Sequence, residues 1–129
     1  MLGRLLLSID SIMLLIGRFL ADWNETHVFN PRWPPHAKFH NVQTIALASI
    51  LGGVTLYFTW RPASSQLIRN AYLAMATITG SVHWISGFMA YFFPNTDGLD
   101  PEFGGPGFPQ AAPFTVGLSL AIAGFFLEW

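Results

Sequence analysis

The sequence contains no cysteine. Disulfides, thiolate metal sites and a cysteine nucleophile are therefore excluded. Charge is also scarce. Asp, Glu, Lys and Arg make up 10% of the residues, against about 25% in an ordinary soluble domain. So few charges could not easily cover a soluble core of this size with a polar surface, whereas a lipid-facing exterior needs no such cover. The formal net charge is −1, so the chain lacks the basic excess of a nucleic-acid-binding protein. Familiar catalytic patterns are missing too. There is no G-x-S-x-G and no H-E-x-x-H, and the GGPGF stretch lacks the Lys-Ser/Thr and following helix of a phosphate-binding loop.

What is present is apolar. Four stretches stand out: 5–23, 41–60, 67–93 and 114–129. A membrane span takes about 20 largely apolar residues. The middle two meet this, the last is short but ends in the interfacial pair Glu128-Trp129, and the first carries Asp10 and Arg18. The sequence thus predicts an all-α fold, a four-helix transmembrane bundle forming a single integral membrane domain over 1–129. Its first loop is polar and its third is rich in Gly and Pro. Arg4 before an apolar run resembles a signal peptide, but Asp10 and Arg18 interrupt the run and no A-x-A cleavage site follows. A retained span is expected. Arg4, Arg61 and Arg69 fall on one side of the layer, and Arg32 and Lys38 on the other with Arg18 near them. That weak contrast puts both termini in the cytosol and the first and third loops in the lumen. The sequon Asn24-Glu25-Thr26 lies so close to the first span that no glycan is expected on it.

The first loop gathers most of the chemistry. Glu25, His27, His36 and His40 lie within it, and three of the four histidines of the chain are there. Pro34 and Pro35 suit the first turn of a helix, which places His36 and His40 four residues apart on one face, with Thr44 continuing it. Interfacial histidines bonded to water and headgroups, a shared metal site, and an acid–base or substrate-binding pair all fit that spacing.

His83 differs, because it sits inside the third span, in TITGSVHWISGF. An ionisable group at that depth is costly and faces a bundle interior or a cavity. Thr79, Gly80, Ser86 and Gly87 share its side of the helix and permit close packing. A helix–helix hydrogen bond is the plainer role for His83, and a cavity group the sharper one. Arg18 and Asp22, four apart, are expected to pair. Asp10 has no basic residue at i+3 or i+4. Protonation, a pair with Arg69, or a bond to a neighbouring hydroxyl would each satisfy it. The tryptophans mostly mark interfaces. Trp33 and Phe39 flank the histidines and, with Thr44, Thr79 and the deeper Trp84, are candidates to line a substrate pocket.

The segment WNETHVFNPRWPPHAKFHN, residues 23–41, resembles the signature of a family of small fungal membrane proteins of unknown function. Its members often carry an automatic acetyltransferase label, and some are encoded in specialised-metabolite clusters. The match covers most of the chain. In size and topology the plan is also similar to the anthrone-oxygenase-like and DoxX-like families. The resemblance implies an endoplasmic reticulum membrane and an apolar small-molecule context. No acyl-CoA motif supports the acetyltransferase label.

The expected function is a membrane enzyme acting on a lipophilic small molecule, polyketide- or terpenoid-like. His36, His40 and His83 would be the working groups, with Glu25 and His27 at the entrance, for isomerisation, cyclisation or oxygenation by acid–base chemistry. A metal variant would use His36, His40, His83 and Glu25. The residues leave the cofactor open. A non-catalytic accessory or lipid-binding protein, partnering a membrane enzyme or its own copies through stripes such as Gly117-Ala121-Gly124, is the alternative. A proton-coupled carrier using Asp10, Arg18 and His83 is a third reading.

Overall fold

The computed structural model describes all 129 residues. Four long helices make the fold: α1 (Leu2–Asp22), α2 (Pro35–Trp60), α3 (Gln66–Tyr91) and α4 (Ala111–Glu128), with no strand. Three of the helix ends have a clear local cause. Pro34, extended at φ −64° and ψ 155°, precedes Pro35 at the first helical position of α2, where no N–H is needed. Pro62 forces Arg61 out of the helical region, to ψ 128°, and stops α2 there. Ser65 caps α3 by accepting from the Ile68 N–H at 3.3 Å. The third loop is irregular as its composition predicts, except for a short helical turn at Pro101–Phe103. Gly104 closes that turn at φ 97°, a conformation that suits glycine.

The helices form a ring in which α1 and α3 each pack against both α2 and α4. α1 also meets α3 across the centre, while α2 and α4 stay apart. Small residues set the close approaches. Ser11 on α1 donates to the Gly52 carbonyl on α2 at 2.6 Å, and a Cβ at Gly52 would stand 2.7 Å from the Ser11 carbonyl oxygen. Gly3 and Gly124 meet in the same way between α1 and α4. Two apolar clusters fill the interior, Leu7-Leu73-Ala76-Ala121 and Leu14-Ala48-Trp84-Phe114.

The interior holds polar groups beside these clusters, and much of the helix exterior is apolar. Asp10, Ser11, Thr55, Ser81 and His83 are buried. Leu5, Ile9, Ile12 and Ile16 are exposed along α1, Ile78, Val82 and Ile85 along α3, and Val116, Ile122 and Phe126 along α4. Two helices, α2 and α4, are long and apolar enough to cross a membrane. The other two have comparable length, but α1 contains Arg4, Asp10, Arg18 and Asp22, and α3 contains Arg69, His83 and several hydroxyls.

The two ends of the bundle differ. At one end the chain termini meet the 61–65 connection, and Glu128 bonds the Met1 amine at 2.5 Å and Arg4 Nε at 3.4 Å. At the other end the first and third loops are joined. Asn30 Nδ2 donates to Glu102 Oε1 at 3.0 Å, Trp33 Nε1 donates to Asp100 Oδ2 at 3.2 Å, and Arg32 pairs with Glu102.

Candidate functional site

Below the joined loops lies a cavity of about 430 Å³. The end of α1 supplies Arg18 and Asp22, the first loop His27, and α2 Thr44. α3 supplies His83, Ser86 and Tyr91. Asp97, Phe108 and Gln110 come from the third loop, and Phe114 from α4.

Asp22 organises the wall. Its side chain is 3% exposed and accepts from Arg18 Nη2 at 2.7 Å and from Asn41 Nδ2 at 3.0 Å, both on Oδ2. Oδ1 stands 3.9 Å from His27 Nε2. The other ring nitrogen of His27 meets Thr26 Oγ1 at 2.7 Å, and Trp33 packs edge-on against the imidazole. His27 is therefore held on both sides. The Arg18–Asp22 pair forms as its i,i+4 spacing predicts.

His83 stands on the opposite wall. It is 6% exposed, and its Nε2 is buried with no hydrogen-bond partner. Its ring packs edge-on against Trp84, with centroids 5.1 Å apart, and against Phe114 at 6.1 Å. Buried ring nitrogens are normally bonded, so the helix–helix hydrogen bond considered for His83 is not made by Nε2. Two further polar atoms of the wall are orphaned in the same way, Arg18 Nε and Gln110 Oε1. The third loop is fixed by Asp97, whose Oδ1 accepts from the N–H groups of Gly98 at 2.7 Å and Gly107 at 2.8 Å. Tyr91 and Phe108 stack at 4.3 Å and give the cavity an aromatic rim.

Of the residues singled out from the sequence, His27, His83 and Thr44 reach this cavity, together with the Arg18–Asp22 pair, Ser86 and Gly87. His36 and His40 do not. They bond each other, Nε2 to Nε2 at 3.1 Å, on an exposed part of α2, and His40 Nδ1 meets Gln43 Oε1 at 3.2 Å. The reason is helical drift. Eight residues turn a helix about 80° past two full turns, so Thr44 faces inward where His36 faces out. Glu25 is exposed, and Phe39 is 61% exposed. Trp33 is tied to Asp100 in the loop junction, and Thr79 bonds Thr55 Oγ1 at 2.9 Å. Trp84 is buried, and its Nε1 donates to Asp10 Oδ1 at 2.7 Å. That indole is the partner of Asp10, in place of Arg69 or a hydroxyl. The metal set of His36, His40, His83 and Glu25 is not assembled, and no three His, Asp or Glu side chains lie close enough to hold an ion.

The residues that sequence reasoning missed fall into two groups. Tyr91 lies eight residues beyond His83 and so about 80° round α3 from it, outside the face that spacing marks, whereas Ser86 was already placed on that face. Asp97, Phe108 and Gln110 sit in an irregular loop, where no periodicity marks the face turned inward.

The model of a family of unknown function (DUF6640) matches residues 6–129. The chain belongs to that family. It matches no curated protein and no solved structure. Membership therefore covers both the bundle and the cavity, and assigns a role to neither.

Proposed function

We propose that this chain is a four-span protein of the endoplasmic reticulum membrane that carries out proton-transfer chemistry on a lipophilic small molecule in the loop-side cavity. The observation that carries the chemistry is His83: an imidazole with an unbonded, buried Nε2, on the wall of a cavity whose other side holds His27, Asp22 and Arg18. A neutral imidazole nitrogen with no partner is free to accept a hydrogen bond or a proton from a ligand placed against it. The aromatic rim of Tyr91, Phe108 and Phe114 suits a flat or apolar ligand body. Arg18 and His27 offer donors to its oxygens, and Gln110 Oε1 offers an acceptor to a hydroxyl.

The supported reaction class is isomerisation or cyclisation. His83 takes a proton from an acidified C–H or O–H of the ligand. The electron pair left behind moves within the ligand, and the proton returns to another of its atoms from His83 or through His27. No oxidant or second substrate is needed, so atoms and charge balance. Asp22 positions His27 for the return step.

The four-span reading is supported by the exposed apolar rows on the helices and by the polar groups gathered inside. Cytosolic termini are supported by the two arginines without acidic partners, Arg61 and Arg69, at that end. The deciding experiment compares lipophilic metabolites of cells with the gene, without it, and with His83→Ala. Loss of one product and gain of its isomer in both altered strains supports the reading. Identical metabolite profiles in all three would remove it.

A further inference from the structure

The charges of the chain are divided between the two ends of the bundle. Beside the termini stand Arg4, Arg61 and Arg69 with one acidic side chain, Glu128. Around the joined loops stand Arg18, Arg32 and Lys38 with five acids, Asp22, Glu25, Asp97, Asp100 and Glu102. At the loop end Arg18 and Arg32 are already paired, with Asp22 and Glu102. At the terminal end Glu128 serves Arg4 and the Met1 amine, and Arg61 and Arg69 make no ion pair.

Aromatic rings pack against two of these arginines, Arg61, which has no acidic partner, and Arg4. The Arg61 guanidinium carbon lies 5.1 Å from the Tyr57 ring centre and 5.2 Å from that of Tyr72. Arg4 stands 5.8 Å from the ring centre of Trp60. Arg69 and Arg4 border one narrow recess together with Tyr72 and Glu128, and Arg69 Nε is buried there with no partner. Stacking uses the face of a guanidinium and leaves its edge donors free for an anion.

Next to Arg61 a shallow, open groove runs along the outer surface of α2, bordered by Gly53, Leu56, Tyr57, Trp60 and Arg61. Gly53 to Arg61 spans about 12 Å of helix. No atom lies within 4 Å of the position a Cβ would take at Gly53, so the glycine leaves the groove open. A cation at one end of an apolar, outward-facing groove matches an amphiphile with an anionic head and a hydrocarbon tail.

We infer that this end of the protein binds one anionic phospholipid, its phosphate against Arg61 and the Arg4–Arg69 recess and an acyl chain in the Gly53–Trp60 groove. The inference rests on the four-span reading, which places the groove in hydrocarbon and the arginines at the headgroup level. The cytosolic leaflet, where the termini are placed, is also the anionic one. The site is separate from the loop-side cavity and shares no residue with it.

The test uses the full chain in phosphatidylcholine nanodiscs, with phosphatidylserine titrated in and retained lipid counted by native mass spectrometry. One phosphatidylserine should be retained in preference to phosphatidylcholine. Arg61→Gln and Arg69→Gln should each weaken its retention about fivefold, as expected for one basic residue at a charged surface. Gly53→Leu should displace it while leaving the thermal transition in phosphatidylcholine unchanged or raised, because the new side chain enters open space. Equal retention of both lipids, undiminished retention in Gly53→Leu, or equally tight binding of soluble glycerophosphoserine would each overturn the inference. An alkaline carbonate wash of the source membranes separates the two levels. Release of the protein overturns the four-span reading and this site together. Its retention in the membrane without lipid preference overturns this site alone.

Discussion

Trp84 Nε1 donates to Asp10 Oδ1 at 2.7 Å, and this bond joins α3 to α1 at the centre of the bundle. Both residues are buried, Asp10 at 0% and Trp84 at 3% exposure. The bond satisfies the indole N–H and one oxygen of the Asp10 carboxyl, groups costly to leave alone in an apolar interior, while Asp10 Oδ2 is buried without a partner. The indole is pressed between Gly117 of α4 and the rings of His83 and Phe114. The bond therefore also helps to orient the wall on which His83 stands.

Removing one partner should cost more than removing both. Trp84→Phe leaves Asp10 without its donor, and should destabilise the bundle by about 1–3 kcal/mol. Asp10→Leu alone leaves the indole N–H unmet and should act similarly. The double variant should recover part of the loss. Thermal unfolding of all four proteins in one detergent gives the coupling, and strictly additive effects would contradict a direct bond.

Glycines packed beneath large side chains should be intolerant, and exposed ones should not. A Cβ at Gly117 would overlap the indole of Trp84, and one at Gly80 would overlap Asp10 Oδ2. Gly117→Ala and Gly80→Ala should each cost about 1–3 kcal/mol through overpacking. Gly17→Ala meets nothing within 4 Å, and should stabilise α1 by about 0.5–1 kcal/mol. Melting temperatures decide this, and a reversed order would show that the helices meet on other faces.

Asp22 should be the most sensitive surface-proximal charge. Its neutral isostere in Asp22→Asn weakens the hold on Arg18 and His27 at once. Breaking a buried pair by removing one partner costs about 3 kcal/mol or more. Arg32→Gln breaks a pair whose arginine is 68% exposed, so its effect should stay within about 1 kcal/mol. Parallel unfolding curves for the two variants test the contrast, which disappears if Asp22 is open to water.

The histidines should separate by position. In a product assay His83→Ala should lower turnover about 10²–10⁴-fold, the usual contribution of a positioned acid or base. His27→Ala should lower it less, and His36→Ala and His40→Ala should leave it within about twofold. Retained helix content and melting temperature must accompany the loss. Wild-type turnover in His83→Ala, or equal losses in all four, would argue against the cavity as the site.

Several features could be read directly. The four helices follow from apolar stretches, with prolines marking both ends of α2 and following α3, and the Arg18–Asp22 pair follows from its spacing of four. His83 could be singled out because an imidazole among TITGSVHWISGF has few stable surroundings other than a cavity or a partner. His36 and His40 were harder. Their spacing places them on one face, and the structure keeps them together, but spacing cannot say which face turns inward. Polar side chains surround the first turns of α2, where these histidines sit, and apolar ones surround the rest, so its sequence carries little signal for that rotation. The wall formed by Asp97, Phe108 and Gln110 was hidden for another reason, because an irregular loop has no repeat from which direction can be inferred.

The sequence alone determined the helices, their ends and the scarcity of charge, because these depend on neighbours along the chain: proline geometry, capping and a run of apolar side chains. The tertiary structure decided that Asp10 bonds Trp84, that His83 and His27 share a cavity while His36 and His40 stand outside it, and that Arg61 adjoins an apolar groove. Those relationships depend on how far each helix is rotated about its axis. That rotation is set by which small residues allow another helix to approach, a property of pairs of helices that no single segment contains.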